Sequence, residues 1–137
     1  MLANQESGTQ KPSDYTILIV DDESIARDIL KGHLITEGYN LVSVSSGFQA
    51  LQHLERNPVD LVLLDVMMPY MDGFEVCRQI KKDERWRDIP VILVTAVLAE
   101  EHGEFGVEAL ADGFLQKPIN GVGLRKQVRS LLHLAYQ

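Results

Sequence analysis

The chain has 137 residues, 45% of them apolar and 24% charged, which is ordinary for one globular domain large enough to bury a core without disulfide or metal staples. Its net charge of −7 excludes the basic stripe that grips DNA or RNA, so no direct nucleic-acid contact is expected. The single cysteine, Cys77, excludes an internal disulfide and points to a reducing, cytoplasmic compartment, while no apolar run reaches membrane-spanning length and no signal-peptide pattern opens the chain.

Met1 to Asp14 is polar and aperiodic and reads as a flexible leader (1–14), with 15–137 as the folded unit. Thr16 to Val20 (TILIV) is a β-branched apolar run of the kind found in strands buried on both faces, and it ends in Asp21-Asp22-Glu23. A helix follows from about Ser24, with Ile25, Ala26, Ile29, Leu30 and Leu34 at helical spacing and Gly38 as its stop. Gly32 inside that helix costs about 1 kcal/mol against alanine, so packing is expected to hold the turn. Leu41 to Val44 is a second strand. Ser45-Ser46-Gly47 then opens a helix carrying Ala50, Leu51 and Leu54, which Asn57-Pro58 breaks.

Leu61 to Leu64 is a third strand that stops at a carboxylate, Asp65; Pro69 and Asp72-Gly73 then turn the chain toward a helix with Phe74, Cys77 and Ile80 on its apolar face. Lys81 to Asp88 reads as a solvated helix end and loop, with Trp86 as a surface anchor. Val91 to Val94 is a fourth strand ending in Thr95-Ala96. The next helix, roughly Glu100 to Leu110, contains Gly103 and Gly106 and is the one expected to move most readily. Phe114-Leu115-Gln116 is a short last strand ending at Lys117-Pro118. The final helix puts Leu124, Val128, Leu131, Leu132 and Ala135 on one face.

Five alternations of strand and helix predict an α/β fold, a doubly wound parallel sheet with helices on both faces. The flavodoxin-like (βα)5 strand order 2-1-3-4-5 sets strands one and three side by side, at the switch point where such sheets bind ligands. Asp21, Asp22 and Asp65 then come within reach of one another. Three carboxylates in one cleft repel unless a cation or protons intervene. The donors are all oxygen, which favours Mg²⁺, with Mn²⁺ the other hard cation such a set accepts. Lys117 and Thr95, at the ends of flanking strands, add an ammonium and a hydroxyl to a pocket of phosphoryl size. Phosphoryl transfer needs chiefly positioning and charge neutralisation, and an aspartate can be its nucleophile. Asp65 is the candidate because the others flank it. The plainer reading is that Asp21 and Asp22 merely cap the first helix.

The set Asp21-Asp22-Glu23, Asp65 with Met68-Pro69-x-x-Asp72-Gly73, Thr95-Ala96 and Lys117-Pro118, in that order and each at a strand end, closely resembles the receiver domain of two-component response regulators. The resemblance covers about Tyr15 to Leu134. It implies a phosphorylation-activated switch, a signalling domain rather than a turnover enzyme, that assists its own phosphorylation and dephosphorylation. Asp65 would accept a phosphoryl group from a phosphohistidine on a sensor histidine kinase or a histidine phosphotransfer protein. Mg²⁺ would be bound by Asp22, Asp65 and the backbone carbonyl of Met67, with Asp21 acting directly or through water. Lys117 would pair with a phosphate oxygen, and the Lys117–Pro118 bond would be cis. Thr95 would move to bond the phosphoryl group, and Phe114 would swing inward behind it. The face built from the fourth helix, last strand and last helix would then change shape for a downstream protein or output domain. Many family members have Tyr where Phe114 stands, and a Gly-Ala pair where this chain has Leu110-Ala111.

A haloacid-dehalogenase-like phosphatase also uses Asp, Mg²⁺ and Lys, but it carries a second Asp two residues after the nucleophile, where this chain has Met67. A degenerate receiver serving only as a docking surface is countered by the complete set of site residues. Glu100, Glu101, Glu104 and Glu108 against Arg125, Lys126 and Arg129 fit a weak two-fold homodimer through the switching face, with two solvated faces as the simpler reading. His33, His53, His102 and His133 lack metal-ligand spacing, and Cys77 reads as a small core residue.

Overall fold

The apolar runs become strands because each can be covered on both sides. A computed structural model describes residues 10–96 and 110–134. Within them, β1 (Thr16–Val20), β2 (Asn40–Val44), β3 (Leu61–Asp65), β4 (Val91–Thr95) and β5 (Gly113–Gln116) form one sheet in the order β2-β1-β3-β4-β5. Every pairing is parallel. Each residue of β3 and β4 is buried, whereas the edge strands β2 and β5 are partly open. This is the doubly wound, flavodoxin-like arrangement that the strand–helix alternation predicts.

Four helices are described: α1 (Ser24–Ile35), α2 (Gly47–Arg56), α3 (Gly73–Lys82) and α4 (Gly121–Leu131). Alternate residues of each strand point to opposite faces, so the sheet supports two cores. On one face Leu18, Val62, Leu64 and Leu93 meet Ala50 and Leu54 of α2 and Phe74, Cys77 and Ile80 of α3. On the other, Ile17, Ile19, Leu63 and Ile92 meet Leu30 and Leu34 of α1 and Leu124 and Val128 of α4. Side-chain oxygens of Ser46, Asp72 and Asn120 cap α2, α3 and α4 by accepting from the N–H groups of Gln49, Glu75 and Gly123 at 3.1, 2.9 and 3.0 Å. Gly38, at φ +95°, takes the left-handed conformation expected of the residue that stops α1.

Several expectations need correction. Of the five apolar residues on α1, only Leu30 and Leu34 are buried, while Ile25 and Ile29 are 73% and 49% exposed. The helix turns its Leu30–Leu34 edge to the sheet and leaves Ile25 and Ile29 outside the core. Gly32 itself faces open space, where an added Cβ would meet nothing within 4 Å, and the packing of that turn comes from Leu30 and Leu34 on either side of it. Lys81 is not solvated: its side chain is 8% exposed, and Nζ donates to Asp112 Oδ2 and the Ile89 carbonyl at 2.7 Å each and to the Arg87 carbonyl at 3.2 Å. It clamps the end of α3 to the entrances of β4 and β5, since Asp112 Oδ2 also accepts from the Val91 N–H at 2.8 Å. Trp86 is half-buried against the core, with the Arg85 guanidinium 4.4 Å from its ring centroid.

Pro12–Asp14, the end of the expected leader, form a 3-10 turn in which the Lys11 N–H donates to Asp14 Oδ2 at 2.9 Å. Asn40 Nδ2 donates to the Ser13 carbonyl at 2.9 Å and ties that turn to β2. The expected helix over Glu100 to Leu110 lies outside the described residues except for Leu110, which sits at φ 59°. Leucine thus occupies a left-handed position where the resembled family commonly has glycine. In the charge pattern read as a dimer contact, Arg129 pairs with Glu37 at 3.0 Å and Arg125 donates to the His33 carbonyl at 3.4 Å. The four glutamates of that pattern lie outside the described residues.

Candidate functional site

Pairing of β1 with β3 in the register Val20↔Leu64 sets Asp21, the residue after β1, beside Asp65, the last residue of β3. Asp21 and Asp65 are buried and Asp22 is exposed; one carboxylate oxygen from each lies within 4.8 Å of the others. Lys117 follows β5 by one residue, and its N–H donates to the Thr95 carbonyl at 2.7 Å. Its Nζ reaches Asp21 Oδ2 and Asp65 Oδ1 at 3.3 Å each. The Lys117–Pro118 peptide is cis, as expected.

Burial first, and then the charge of Asp21, push the Asp65 carboxyl from 3.8 up to about 6, against the pull of Lys117. For Lys117, burial acts to lower the ammonium's pKa, but Asp65 and Asp21 outweigh it and the net direction is upward. Both lysine contacts are longer than the 2.7–2.9 Å usual for charge-assisted bonds, so one ammonium is shared by two carboxylates and saturates neither. Three carboxylates facing one ammonium leave net negative charge, and the donor set is all oxygen. The residues present therefore fit a hard divalent cation.

Helix capping does not account for the aspartates. The residue preceding α1 is Glu23, and it makes no side-chain cap. Asp21 Oδ1 accepts from the Glu23 N–H at 3.0 Å, and Asp22 has no hydrogen-bond partner among the described residues.

Thr95 is buried at the end of β4, one strand from Asp65. Phe114 is half-buried on β5, packed against the core shared with α2 and α3, and its carbonyl accepts from Gln127 Nε2 at 2.9 Å. Met67 lies in the loop after β3 with a largely exposed side chain, while Met68 beside it is buried. The fold thus gathers Asp21, Asp22, Asp65 and Lys117 directly. Thr95 lies at a neighbouring strand tip, and Phe114 is directed to the core.

Two residues at the site receive no structural role in the sequence reading. Gly73 figures there as a turn signal and as the end of the Met68–Gly73 motif, yet an added Cβ would lie 2.3 Å from the Asp65 carbonyl oxygen and 2.8 Å from Val66 Cα. Its N–H donates to the Val66 carbonyl at 2.9 Å, so the start of α3 presses on the tip of β3. Arg27 Nη1 donates to the Asp21 carbonyl at 2.7 Å. An arginine in the first turn of a helix looks in sequence like any solvated residue, and only the fold turns it back onto β1.

Comparison with known proteins agrees with this geometry. The family model described as the response regulator receiver domain matches residues 17–129. The response regulator PleD of Caulobacter vibrioides is 44% identical over 115 residues, covering 84% of this chain and 25% of that protein. The signal receiver domain of a signal transduction histidine kinase from Syntrophus aciditrophicus superposes with a TM-score of 0.82 at 37% identity, covering 87% of this chain and 90% of that one. The receiver domain of the sensor histidine kinase PA1611 from Pseudomonas aeruginosa, whose structure has a magnesium ion coordinated in the active-site cleft, superposes with a TM-score of 0.80 at 28% identity, covering 87% and 98%. The chain spans between a quarter and about half the length of the curated relatives it matches. A match over this much of the chain, on a sheet of the same topology, makes it a member of the response regulator receiver domain family.

Proposed function

We propose that the chain is a phosphorylation-activated switch in which Asp65 accepts a phosphoryl group from a phosphohistidine on a sensor histidine kinase or a histidine phosphotransfer protein. The observation that carries the reading is the shared lysine: Lys117 Nζ stands 3.3 Å from both Asp21 and Asp65 in a cluster of carboxylates. A carboxylate held only for stability would not be buried beside a second one.

An Asp65 oxygen attacks the phosphorus, the P–N bond to the donor histidine breaks, and the departing imidazole nitrogen keeps the electron pair. With its pKa near 6, the carboxyl is ionised, and so nucleophilic, at neutral pH. Lys117 exchanges a carboxylate contact for a phosphoryl oxygen, which is the charge compensation phosphoryl transfer needs. Asp21, Asp22, Asp65 and the backbone carbonyl of Met67 would hold Mg²⁺, or Mn²⁺, which when bound neutralises the negative charge of carboxylates and phosphate together. Thr95 then bonds the new phosphoryl group, Phe114, already half-buried against the core, closes in behind it, and the face that includes β5 and α4 changes for a downstream protein or output domain.

A protein donor must also dock. Ile25 and Ile29 of α1, with Pro118 and Ile119, line an apolar cavity of about 550 Å³ whose wall includes Lys117. That shelf gathers the exposed isoleucines on the side of Lys117, whose Nζ lies 3.3 Å from the acceptor. Among the described residues no helix is long and apolar enough to cross a membrane, and we place the switch in the cytoplasm with its donor.

Incubation with acetyl phosphate and Mg²⁺, followed by intact-mass measurement, tests the reading. One phosphoryl group is expected on the wild type and none on Asp65→Asn. A stable adduct formed without Mg²⁺, or no adduct at all, refutes it.

A further inference from the structure

Arg27 sits in the first turn of α1, where its N–H donates to the Glu23 carbonyl at 3.1 Å, and its guanidinium bends back to the tip of β1. Besides the Lys117 Nζ contact to its Oδ2 at 3.3 Å, Asp21 is tied down at three points. Its N–H reaches the Val44 carbonyl of β2 at 3.3 Å, its Oδ1 accepts from Glu23 at 3.0 Å, and its carbonyl accepts from Arg27 Nη1 at 2.7 Å. The arginine bond is the shortest of the three, and its donor is charged.

Arginine beside acids ordinarily takes a carboxylate in a bidentate fork. Here Asp21, Asp22 and Glu23 all lie within six residues, yet among the described residues Arg27 forms no ion pair. It donates instead to the carbonyl of the Asp21–Asp22 peptide and takes none of the carboxylate oxygens; the two of Asp21 accept from the Glu23 N–H and Lys117 Nζ. The same side chain lines a cleft with Ser43, Val44 and Ser45 at the tip of β2, so it reaches from the end of β1 to that of β2.

We infer that Arg27 is a positioning residue: by gripping the peptide between Asp21 and Asp22 it holds both carboxylates in the geometry a divalent cation needs. The inference rests on the proposed cation site, and its sign separates it from simple electrostatics. Removing a positive charge next to three carboxylates should tighten cation binding by Coulomb attraction alone. Loss of a positioning bond should loosen it, and partners behind metal ligands typically govern 10–100-fold in affinity.

The experiment is calorimetric titration with Mg²⁺, repeated with Mn²⁺ by electron spin resonance, on the wild type, Arg27→Met and Arg27→Lys. Amide NMR spectra confirm that each variant is folded. Arg27→Met is expected to bind about tenfold more weakly, and Arg27→Lys, which keeps the charge but not the planar fork, to fall in between. Equal or tighter binding by Arg27→Met overturns the inference. If the methionine variant does not fold, the lysine variant decides: weaker binding supports the inference and unchanged binding overturns it. A wild type that binds neither ion defeats the proposed function itself, and the inference with it.

Discussion

Asp65→Asn in the absence of divalent ions should make the fold more stable at neutral pH. Asp65 is 5% exposed and its carboxyl is pushed up to about 6, chiefly by burial and then by Asp21. Because the folded value lies above the unfolded one, the neutral acid favours the fold. That contribution is complete below about pH 4 and is lost as pH rises through about 6. Holding the ionised form at pH 7.5 therefore costs about 3 kcal/mol relative to the unfolded chain, at about 1.4 kcal/mol per pH unit. Asparagine has nearly the same shape, stays neutral and still offers Lys117 an acceptor. Urea denaturation in EDTA at pH 4 and pH 7.5 measures the effect. The stability of the variant relative to wild type should rise by about 2–3 kcal/mol between the two pH values. Saturating Mg²⁺ should erase most of this gain by stabilising the wild type through binding. A difference between the two proteins that stays constant with pH, or a variant less stable at pH 7.5, refutes the reasoning.

Gly73→Ala places a methyl 2.3 Å from the Asp65 carbonyl oxygen, against backbone that cannot give way. Urea denaturation should show a loss of roughly 3 kcal/mol, and a loss under 1 kcal/mol would mean that α3 can lift off β3 freely. Gly32→Ala meets open space on an exposed helical turn and should stabilise by about 1 kcal/mol in the same assay. Tyr70 is 99% exposed at φ 71°, so Tyr70→Gly loses no packing and relieves left-handed strain; a gain of about 1 kcal/mol is expected by thermal unfolding.

The order of elements was legible because each signal is local. Apolar runs such as Thr16–Val20 and Leu61–Leu64 needed only length and composition to read as strands, and Gly38 and Asn57-Pro58 marked the helix ends close to where they fall. The carboxylates and Lys117 were legible as a site because each stands at the end of such a run. A parallel sheet carries every strand end of this kind to the same edge.

Which side chains meet was a different matter. Lys81 reads as solvated from its charged neighbours, yet the fold brings it Asp112, remote in sequence, and turns the chain just beyond α3 back so that the Arg87 and Ile89 carbonyls accept from it. Ile25 and Ile29 follow helical spacing as faithfully as Leu30 and Leu34, but periodicity cannot say how much of the stripe the sheet will cover. Arg27 and Gly73 acquire their places only when a helix start is pressed against a strand tip. Short-range chemistry along the chain determined the elements, their order and the acidic identity of the cleft. Tertiary packing decided the shared lysine at 3.3 Å, the raised carboxyl of Asp65 and the grip on the Asp21 carbonyl, because each depends on distances and burial set by segments far apart in sequence.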